Sequence, residues 1–301
     1  MIRNTTFLEY IQPLLFLSKI FGMVFFTITK TGNLFLTILD RLPYVTTILA
    51  YLRWTYLTYA NLPHITYLNQ LQANTVLNLL YMFCGSYEII LRYIIYLVYR
   101  KRHIIFLLEV DKLDRILQII RSSPYNLLKQ ILLFTTYASV RVIIMMLLFL
   151  NSTLQIPSLE PILFYNFLGI SQNAEMFMVR IYFNELRALY SNINNKLIEF
   201  DGVENWNSLT RVCYSHFRLS QLILDCNELF NTSILGSVLT AVVNLANAYA
   251  LVMLGVWSIL DNQPIDSVFF GLATFSCFER LLVIWFLLKI RLDVVKEVSL
   301  N

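Results

Sequence analysis

The sequence has little charge and few of the residues that interrupt regular structure. Asp, Glu, Lys and Arg make up 14% of the chain, whereas a soluble globular domain carries about 25%. With 8 glycines and 7 prolines in 301 residues, a Gly-rich phosphate-binding loop is not expected. Hydrophobic residues reach 57% and the mean hydropathy is +0.62. The composition therefore favours a helical membrane protein over a soluble domain.

Cysteine and histidine are also scarce, which argues against several kinds of chemistry. The 4 cysteines fall in predicted membrane helices or cytoplasmic segments, so we expect no disulfide framework. The 3 histidines show no His-x-x-x-His spacing, and no Gly-x-Ser-x-Gly motif occurs. We therefore predict that the chain is not an enzyme and binds no metal or cofactor. The net charge of +4 does not indicate nucleic-acid binding, because the basic residues lie at membrane edges.

Apolar runs of about 20 residues recur along the chain, and each is long enough to cross a bilayer. They predict six transmembrane helices, at residues 42–62, 76–98, 127–150, 161–179, 232–260 and 268–288. Residues 180–231 are predicted to form a long helical hairpin that turns at Asp201-Gly202, and residues 7–26 an uncleaved interfacial helix. The predicted fold class is an all-α polytopic membrane protein with a single domain over residues 1–301.

The distribution of Lys and Arg predicts the orientation of this protein. The loops at about 63–75, 151–160 and 261–267 contain neither residue, whereas the other connections and both termini contain several. The positive-inside rule then places both termini and the hairpin in the cytoplasm. The sequon at Asn151 would face outside, where it could be glycosylated.

One face of the ascending arm of the hairpin carries apolar residues at alternating spacings of three and four. This spacing suits packing against a helix of the same or a neighbouring subunit. We predict that this stripe drives assembly through Leu209, Val212, Leu219, Ile223 and Phe230.

Charged residues remain inside the predicted spans, namely Arg53, Glu88, Arg92, Arg141, Glu279 and Arg280. Glu88 and Arg92 are four residues apart and can pair on one helix face, whereas the adjacent Glu279 and Arg280 do not face each other. Intramembrane charge indicates a ligand-binding or gating site by default. The alternative is that these residues form structural pairs that fix helix rotation, and both interpretations stay open.

Polar and aromatic residues in the spans give the candidate ligand-binding set. Some of the aromatic members could instead belong to the interfacial belt that anchors membrane helices. The set consists of Tyr81, Tyr87, Arg141, Tyr165, Asn166, Tyr249 and Trp257.

Three segments carry a family resemblance through their order along the chain. They are LLFLSKIFG at 14–22, RIYFNELRALYSNIN at 180–194 and LILDCNELF at 222–230, the last entering a long fifth helix. This order resembles the insect gustatory receptor family, within the insect chemoreceptor superfamily. The orientation with the N-terminus inside is also that of the family, and it is opposite to that of a G-protein-coupled receptor.

The resemblance implies a chemosensory receptor for a small-molecule tastant in the plasma membrane of sensory neurons. Relatives of this kind are ligand-gated cation channels that assemble as homo- or hetero-tetramers in contact with membrane lipids. The family's seventh, pore-lining helix, with Thr-Tyr, five apolar residues and Gln, has no match here. We therefore expect this form not to conduct alone. The alternative is a non-conducting membrane subunit that modulates a partner receptor through the hairpin.

Epitope tags at the two termini test the predicted orientation. We expect both tags to stain in permeabilised cells and neither to stain in intact cells, because the basic residues hold both ends in the cytoplasm. An Asn151→Gln variant should lose any glycan-dependent mobility shift. Surface staining of either terminus in intact cells would contradict the orientation.

Overall fold

The computed structural model describes residues 6–21, 23–24, 27–28, 34–35, 94–117, 125–150, 160–198 and 206–260, with scattered residues in 45–56 and 271–292. Over these residues the chain is helical apart from two strands of two residues each. The helices are α1 (Phe7–Ile20), α2 (Arg100–Leu117), α3 (Tyr125–Leu150), α4 (Glu160–Ile198) and α5 (Trp206–Leu260). The predicted all-α class is thus confirmed for the described part of the chain.

The two short strands form a small antiparallel pair after α1. β1 (Thr27–Ile28) pairs with β2 (Leu34–Phe35), with Thr27 opposite Phe35 and Ile28 opposite Leu34. Two residues per strand give too little pairing for independent stability, so this pair is a local feature of the chain.

The N-terminal helix α1 is packed into the bundle. One face of α1 is fully buried at Ile11 and Leu14, and α1 contacts α2, α3 and α4. The opposite face leaves Phe16 67% and Ile20 49% exposed. The helix predicted at 7–26 therefore exists in a shorter form, and its inner apolar face is covered by protein rather than by lipid.

The two longest helices, α4 and α5, form the hairpin expected from the sequence. α4 has 39 residues and α5 has 55, so each continues from a predicted span into the predicted cytoplasmic arm. Their facing stripes, with Ile193 and Leu219 fully buried, pack against each other, and α2 packs against both helices. Residues 199–205, which include the predicted turn, lie outside the described residues.

The structure places the predicted assembly stripe inside the chain. Val212, Leu219 and Phe230 are 7%, 0% and 1% exposed, and Ile223 packs against the same core. Leu209 is half-buried at the end of the stripe. Because these side chains already pack within the chain, they offer no free surface to a neighbouring subunit, and that part of the prediction is corrected. The stripe does find a partner helix, and the partner belongs to the same chain.

The outer face of α3 is apolar and exposed. The window Leu127–Ile144 has the length and composition of a membrane-crossing helix, and 17% of it is buried. Among the described residues a second candidate is the pair Leu209–Thr232 and Ile234–Val243 in α5, bent by 42°. The described helices therefore include one clear apolar span, with this bent pair as a second.

Replacing a buried and an exposed leucine of α5 tests which face of the hairpin forms the core. Leu219→Ala should lower the stability by about 2–5 kcal/mol, because Leu219 is fully buried and its truncation leaves a cavity. Leu224→Ala is the matched control, with Leu224 68% exposed, and should change the stability by less than about 0.5 kcal/mol. Thermal unfolding in detergent, followed by circular dichroism, measures both. Equal losses would contradict the packing described here.

Candidate functional site

A buried polar cluster joins α3, α4 and the C-terminal helical residues. Arg141 of α3 is 1% exposed and forms an ion pair with Glu279, which is 6% exposed. Tyr137, one turn before Arg141, donates its hydroxyl hydrogen to the Glu279 carboxylate. Asn173 of α4 donates from Nδ2 to the Tyr137 hydroxyl at 2.7 Å and to Glu279 Oε1 at 3.0 Å. Three separate parts of the chain thus supply one hydrogen-bonded group, the Arg141–Glu279 cluster.

Gly169 makes room for the guanidinium of Arg141 on the surface of α4. A Cβ atom at position 169 would lie 2.7 Å from Arg141 Cζ and closer still to one guanidinium nitrogen. Contacts this short do not occur, so any side chain at this position would displace Arg141 or α4. The absent side chain at Gly169 is therefore part of what allows the ion pair to form.

The cluster combines a buried cation and a buried anion with neutral donors. Charges taken out of water are tolerated when they are paired and hydrogen-bonded, and removing one partner leaves an uncompensated charge. A polar small molecule that entered the cluster would have to compete with Glu279 for Arg141, or with Tyr137 and Asn173 for Glu279. Chemically, the arrangement suits recognition of hydroxyl, carboxylate or amine groups by direct exchange of hydrogen bonds.

A second buried polar contact lies further along α4. The Tyr96 hydroxyl donates to Glu175 Oε1 at 2.7 Å, and Glu175 is fully buried. Closer to the hairpin, His103 Nε2 of α2 lies 3.2 Å from the Tyr182 hydroxyl. The ring of Phe230 lies 5.8 Å from His103 and 5.8 Å from Tyr182, so aromatic side chains surround the imidazole. These contacts tie α2 and α5 to α4.

Burial controls the protonation of this aromatic group. Desolvation lowers the pKa of His103 from 6.5 to about 4, so the imidazole is neutral at physiological pH. Desolvation likewise raises the pKa of the Tyr182 hydroxyl and of the Cys226 thiol, each reinforced by a nearby acidic group. All three side chains are therefore uncharged, as their packing in a dry core requires.

The structure brings together some of the predicted site residues and separates others. Arg141 and Glu279 meet in the cluster, although they were assigned to different sets. Tyr249 and Trp257 are 60% and 69% exposed on the outside of α5, so they line no pocket within the described chain. Arg53 is exposed. Several other predicted positions lie outside the described residues, namely Tyr81, Tyr87, Glu88, Arg92, Asn151, Arg280 and the side chains of Tyr165 and Asn166.

Four residues of these polar contacts were missed from the sequence. Tyr137 had a local signal, because it lies four residues before Arg141 and so shares its helix face. Glu175 had another, as an acidic residue inside the predicted span 161–179. Gly169 and Asn173 gave no such signal, because only their position opposite α3 makes them part of the site.

A groove with a volume of 340 Å³ runs between α2 and α5 on the hairpin side. Its rim carries two ion pairs, Arg102 with Glu228 and Arg218 with Glu109, the latter at 3.4 Å. Hydrogen bonding and the charge of Glu228 raise the pKa of Arg102. Phe106, Leu222 and Leu229, which also line the groove, are buried and apolar. The groove therefore offers an apolar floor between charged edges.

Comparisons with known proteins do not assign a family to the chain. No model of a protein family matches it, and no curated protein is significantly similar. Among the described residues, no group of three His, Cys, Asp or Glu side chains is arranged to hold a metal ion. The function is therefore argued from the fold, the polar cluster and the sequence pattern.

Substitution of two glycines tests the close packing of Arg141 on α4. Gly169→Ala should destabilise the protein by several kcal/mol, because its Cβ would collide with a buried guanidinium that has no alternative partner of equal quality. Gly271→Ala is the matched control, since a Cβ there meets no atom within 4 Å. Thermal unfolding of both variants in detergent gives the comparison. A Gly169→Ala protein as stable as Gly271→Ala would contradict the described contact.

The buried imidazole predicts a loss of stability in mild acid. The folded pKa of His103 is depressed, so the unfolded chain binds a proton from about pH 6.5 downward while the folded chain does so near pH 4. Stability should fall across this window, by about 2 kcal/mol between pH 7 and pH 5. His103→Phe should remove this part of the pH dependence, and His216→Phe, at the T-shaped contact with Tyr190, should retain it. Identical pH profiles for the two variants would contradict the assignment.

Proposed function

We propose that this protein is a multi-pass membrane chemoreceptor of the gustatory type, which binds a small molecule through the Arg141–Glu279 cluster. The membrane topology in this proposal is the six-span arrangement with both termini in the cytoplasm. The observation that carries it is the inverted distribution of polarity: an ion pair lies inside the helices while large apolar side chains lie outside them.

The apolar exterior supports a lipid environment. On α3 the side chains of Leu132 and Leu133 are 65% and 62% exposed, and on α5 those of Leu235 and Leu260 are 67% and 74% exposed. Each would forgo about 1.5–3 kcal/mol of burial energy if it faced water. Soluble monomers rarely expose apolar patches larger than a few hundred Å². Hydrocarbon chains around these helices remove that cost.

The chemoreceptor assignment adds the order of sequence segments to this physical picture. The segments at 14–22, 180–194 and 222–230 follow one another as in the insect gustatory receptor family. Two of them coincide with structural features: 180–194 lies in the continuation of α4, and 222–230 lies in α5 before its apolar half. Binding of a tastant, channel activity and tetrameric assembly come from this resemblance and are part of the proposal.

The cluster supports a mechanism in which ligand binding changes how helices are held together. Arg141 and Tyr137 belong to α3, Asn173 belongs to α4, and Glu279 belongs to the C-terminal helical residues. A ligand that takes over one of these hydrogen bonds weakens a link between helices and replaces it by a link to itself. The equilibrium shifts toward the helix arrangement that the ligand contacts more favourably.

Two tyrosine variants distinguish the cluster from the outer face of α5. We expect a compound from a panel of sugars, bitter compounds and amino acids to raise the unfolding temperature of the purified protein by a few degrees, because a ligand stabilises the state that it binds. Tyr137→Phe should abolish that shift through the loss of one hydroxyl. Tyr249→Phe, at a residue that is 60% exposed, should retain it.

The outcomes separate the parts of this proposal. A shift that survives Tyr137→Phe and disappears in Tyr249→Phe would move the site to the outer face of α5. Absence of any shift across the panel, in a protein that folds and inserts, would contradict a receptor for these compounds.

A second function, modulation of a partner receptor, is favoured by a different surface. Tyr214, Phe217 and Leu224 of α5 are 50%, 61% and 68% exposed, and Ile105 of α2 is 58% exposed. All four lie in the proposed cytoplasmic part, where lipid chains do not cover them, and the 340 Å³ groove between α2 and α5 is lined in part by Ile105. A partner protein would cover this surface, in place of the stripe that proved to be internal. Loss of a co-purifying membrane protein on Phe217→Asp, with ligand shifts unchanged, would favour this function.

A further inference from the structure

The first turn of α1 is held by acidic side chains from another helix. The backbone N–H of Phe7 donates to Asp114 Oδ2 at 3.2 Å, and that of Leu8 donates to Asp111 Oδ1 at 3.1 Å. Both carboxylates belong to α2 and are buried, at 5% and 4% exposure. They occupy the positive end of the α1 dipole, where anions are stabilised. α1 is thus fastened to α2 by charge as well as by apolar contact.

The remaining donors of this turn are used within α1 itself. Thr6 is the N-cap: its Oγ1 accepts from the N–H of Glu9 at 3.4 Å, and the Glu9 carboxylate accepts from the N–H of Thr6 at 3.3 Å. The N–H of Tyr10 donates to the Thr6 carbonyl at 3.0 Å. Every backbone N–H from Thr6 to Tyr10 therefore has an acceptor.

This complete use of donors decides how an added negative charge at Thr6 would act. A phosphate at a helix N-terminus is normally stabilised by free N–H groups. Here those groups already bind two buried carboxylates, and Glu9 adds a third acidic group at the same end. An added dianion would find like charges and no free donor in this turn, so it would be repelled. The sign of the effect is opposite to that at an open helix end.

We propose that Thr6 is a phosphorylation site and that phosphate on its Oγ1 releases α1 from α2. In this step a protein kinase transfers the γ-phosphoryl group of a nucleoside triphosphate to Oγ1, the hydroxyl proton leaves, and a nucleoside diphosphate is released. The hydroxyl lies in a solvent-exposed contact. Arg3 precedes Thr6 by three residues in the sequence, and such charge patterns contribute to kinase specificity. Access by a cytoplasmic kinase rests on the topology given under Proposed function, whereas the charge sensitivity of α1 does not.

The charged groups around this turn oppose each other in number and position. Asp111, Asp114 and Glu9 are acidic. Arg115 pairs with Asp111 at 2.7 Å, and its side chain is 62% exposed, so it is free to turn toward a phosphate and reduce the repulsion. Arg115 already offsets part of the charge of Asp111, which leaves Asp114 as the main source of repulsion.

Release of α1 would reach the helices of the candidate site. Phe7, Ile11 and Leu14 are at most 1% exposed in the docked state. The Ser18 hydroxyl of α1 lies 3.3 Å from the sulfur of Met178 on α4, the helix that also carries Asn173. Undocking would uncover this side of α4, so Thr6 would control the packing of a helix that contributes to the cluster.

A pair of isosteric substitutions isolates the effect of charge. Asp and Asn are equally good N-cap residues, so Thr6→Asp and Thr6→Asn differ mainly by one negative charge. In the purified full-length protein we expect amide hydrogen exchange over residues 7–20 to be at least about tenfold faster in Thr6→Asp than in Thr6→Asn, because of the repulsion from Asp114. Exchange over residues 182–193 of α4 serves as the control for global unfolding. Adding Asp114→Asn to Thr6→Asp should restore slow exchange relative to Asp114→Asn alone.

The phosphorylation itself is tested with a kinase that prefers basic segments, ATP and the purified protein, and the modified residue is located by mass spectrometry. Phosphate at Thr6 that accelerates exchange over residues 7–20 supports the proposal, and Arg3→Gln should reduce incorporation. Equal exchange in Thr6→Asp and Thr6→Asn would overturn the charge switch. Failure of this kinase to modify Thr6 in either the protein or a peptide of residues 1–12 would overturn the modification site. Neither result depends on whether the cluster binds a tastant.

Discussion

The cost of removing Arg141 from water is the constraint on which the rest of the site depends. A guanidinium that is 1% exposed requires an anion and further acceptors within hydrogen-bond reach. Glu279 supplies the charge, Tyr137 and Asn173 supply neutral contacts, and Gly169 supplies the space. Each of these residues has its position fixed by a different piece of backbone. The relative placement of α3, α4 and the C-terminal helical residues is therefore specified by one charge.

The two halves of the structure solve the burial problem in different ways. Around the hairpin, α2, α4 and α5 bury an apolar and aromatic core in which even His103 is neutral. Around α3 and the later part of α5, the polar groups lie inside and the apolar groups lie outside. α4 and α5 run through both halves without interruption. A single pair of helices thus connects a core of the soluble type with one suited to lipid.

The sequence predicted local features well and distant pairs poorly. The alternating three-four spacing in α5 correctly indicated a stripe that packs on a helix, because that information lies within a few turns of the chain. It could not indicate whether the partner belonged to the same chain, since Leu219 would look the same in either case. The contact of Arg141 with Glu279 was likewise invisible, because nothing local connects two charges in different helices. Docking of α1 depended on Asp111 and Asp114, which read as ordinary polar positions of a charged helix.

The separation of Arg141 from its partner has a consequence for synthesis of the protein. Tyr137, on the same turn side as Arg141, precedes Glu279 by 142 residues. At a translation rate of about 5–20 residues per second, Glu279 leaves the ribosome roughly 7–28 s after that part of α3. During this interval, in the proposed topology, the arginine has Tyr137 on its own helix but not its carboxylate. Biogenesis of the chain therefore includes a waiting period in which the insertion machinery, or water retained beside the helix, has to shelter a cation.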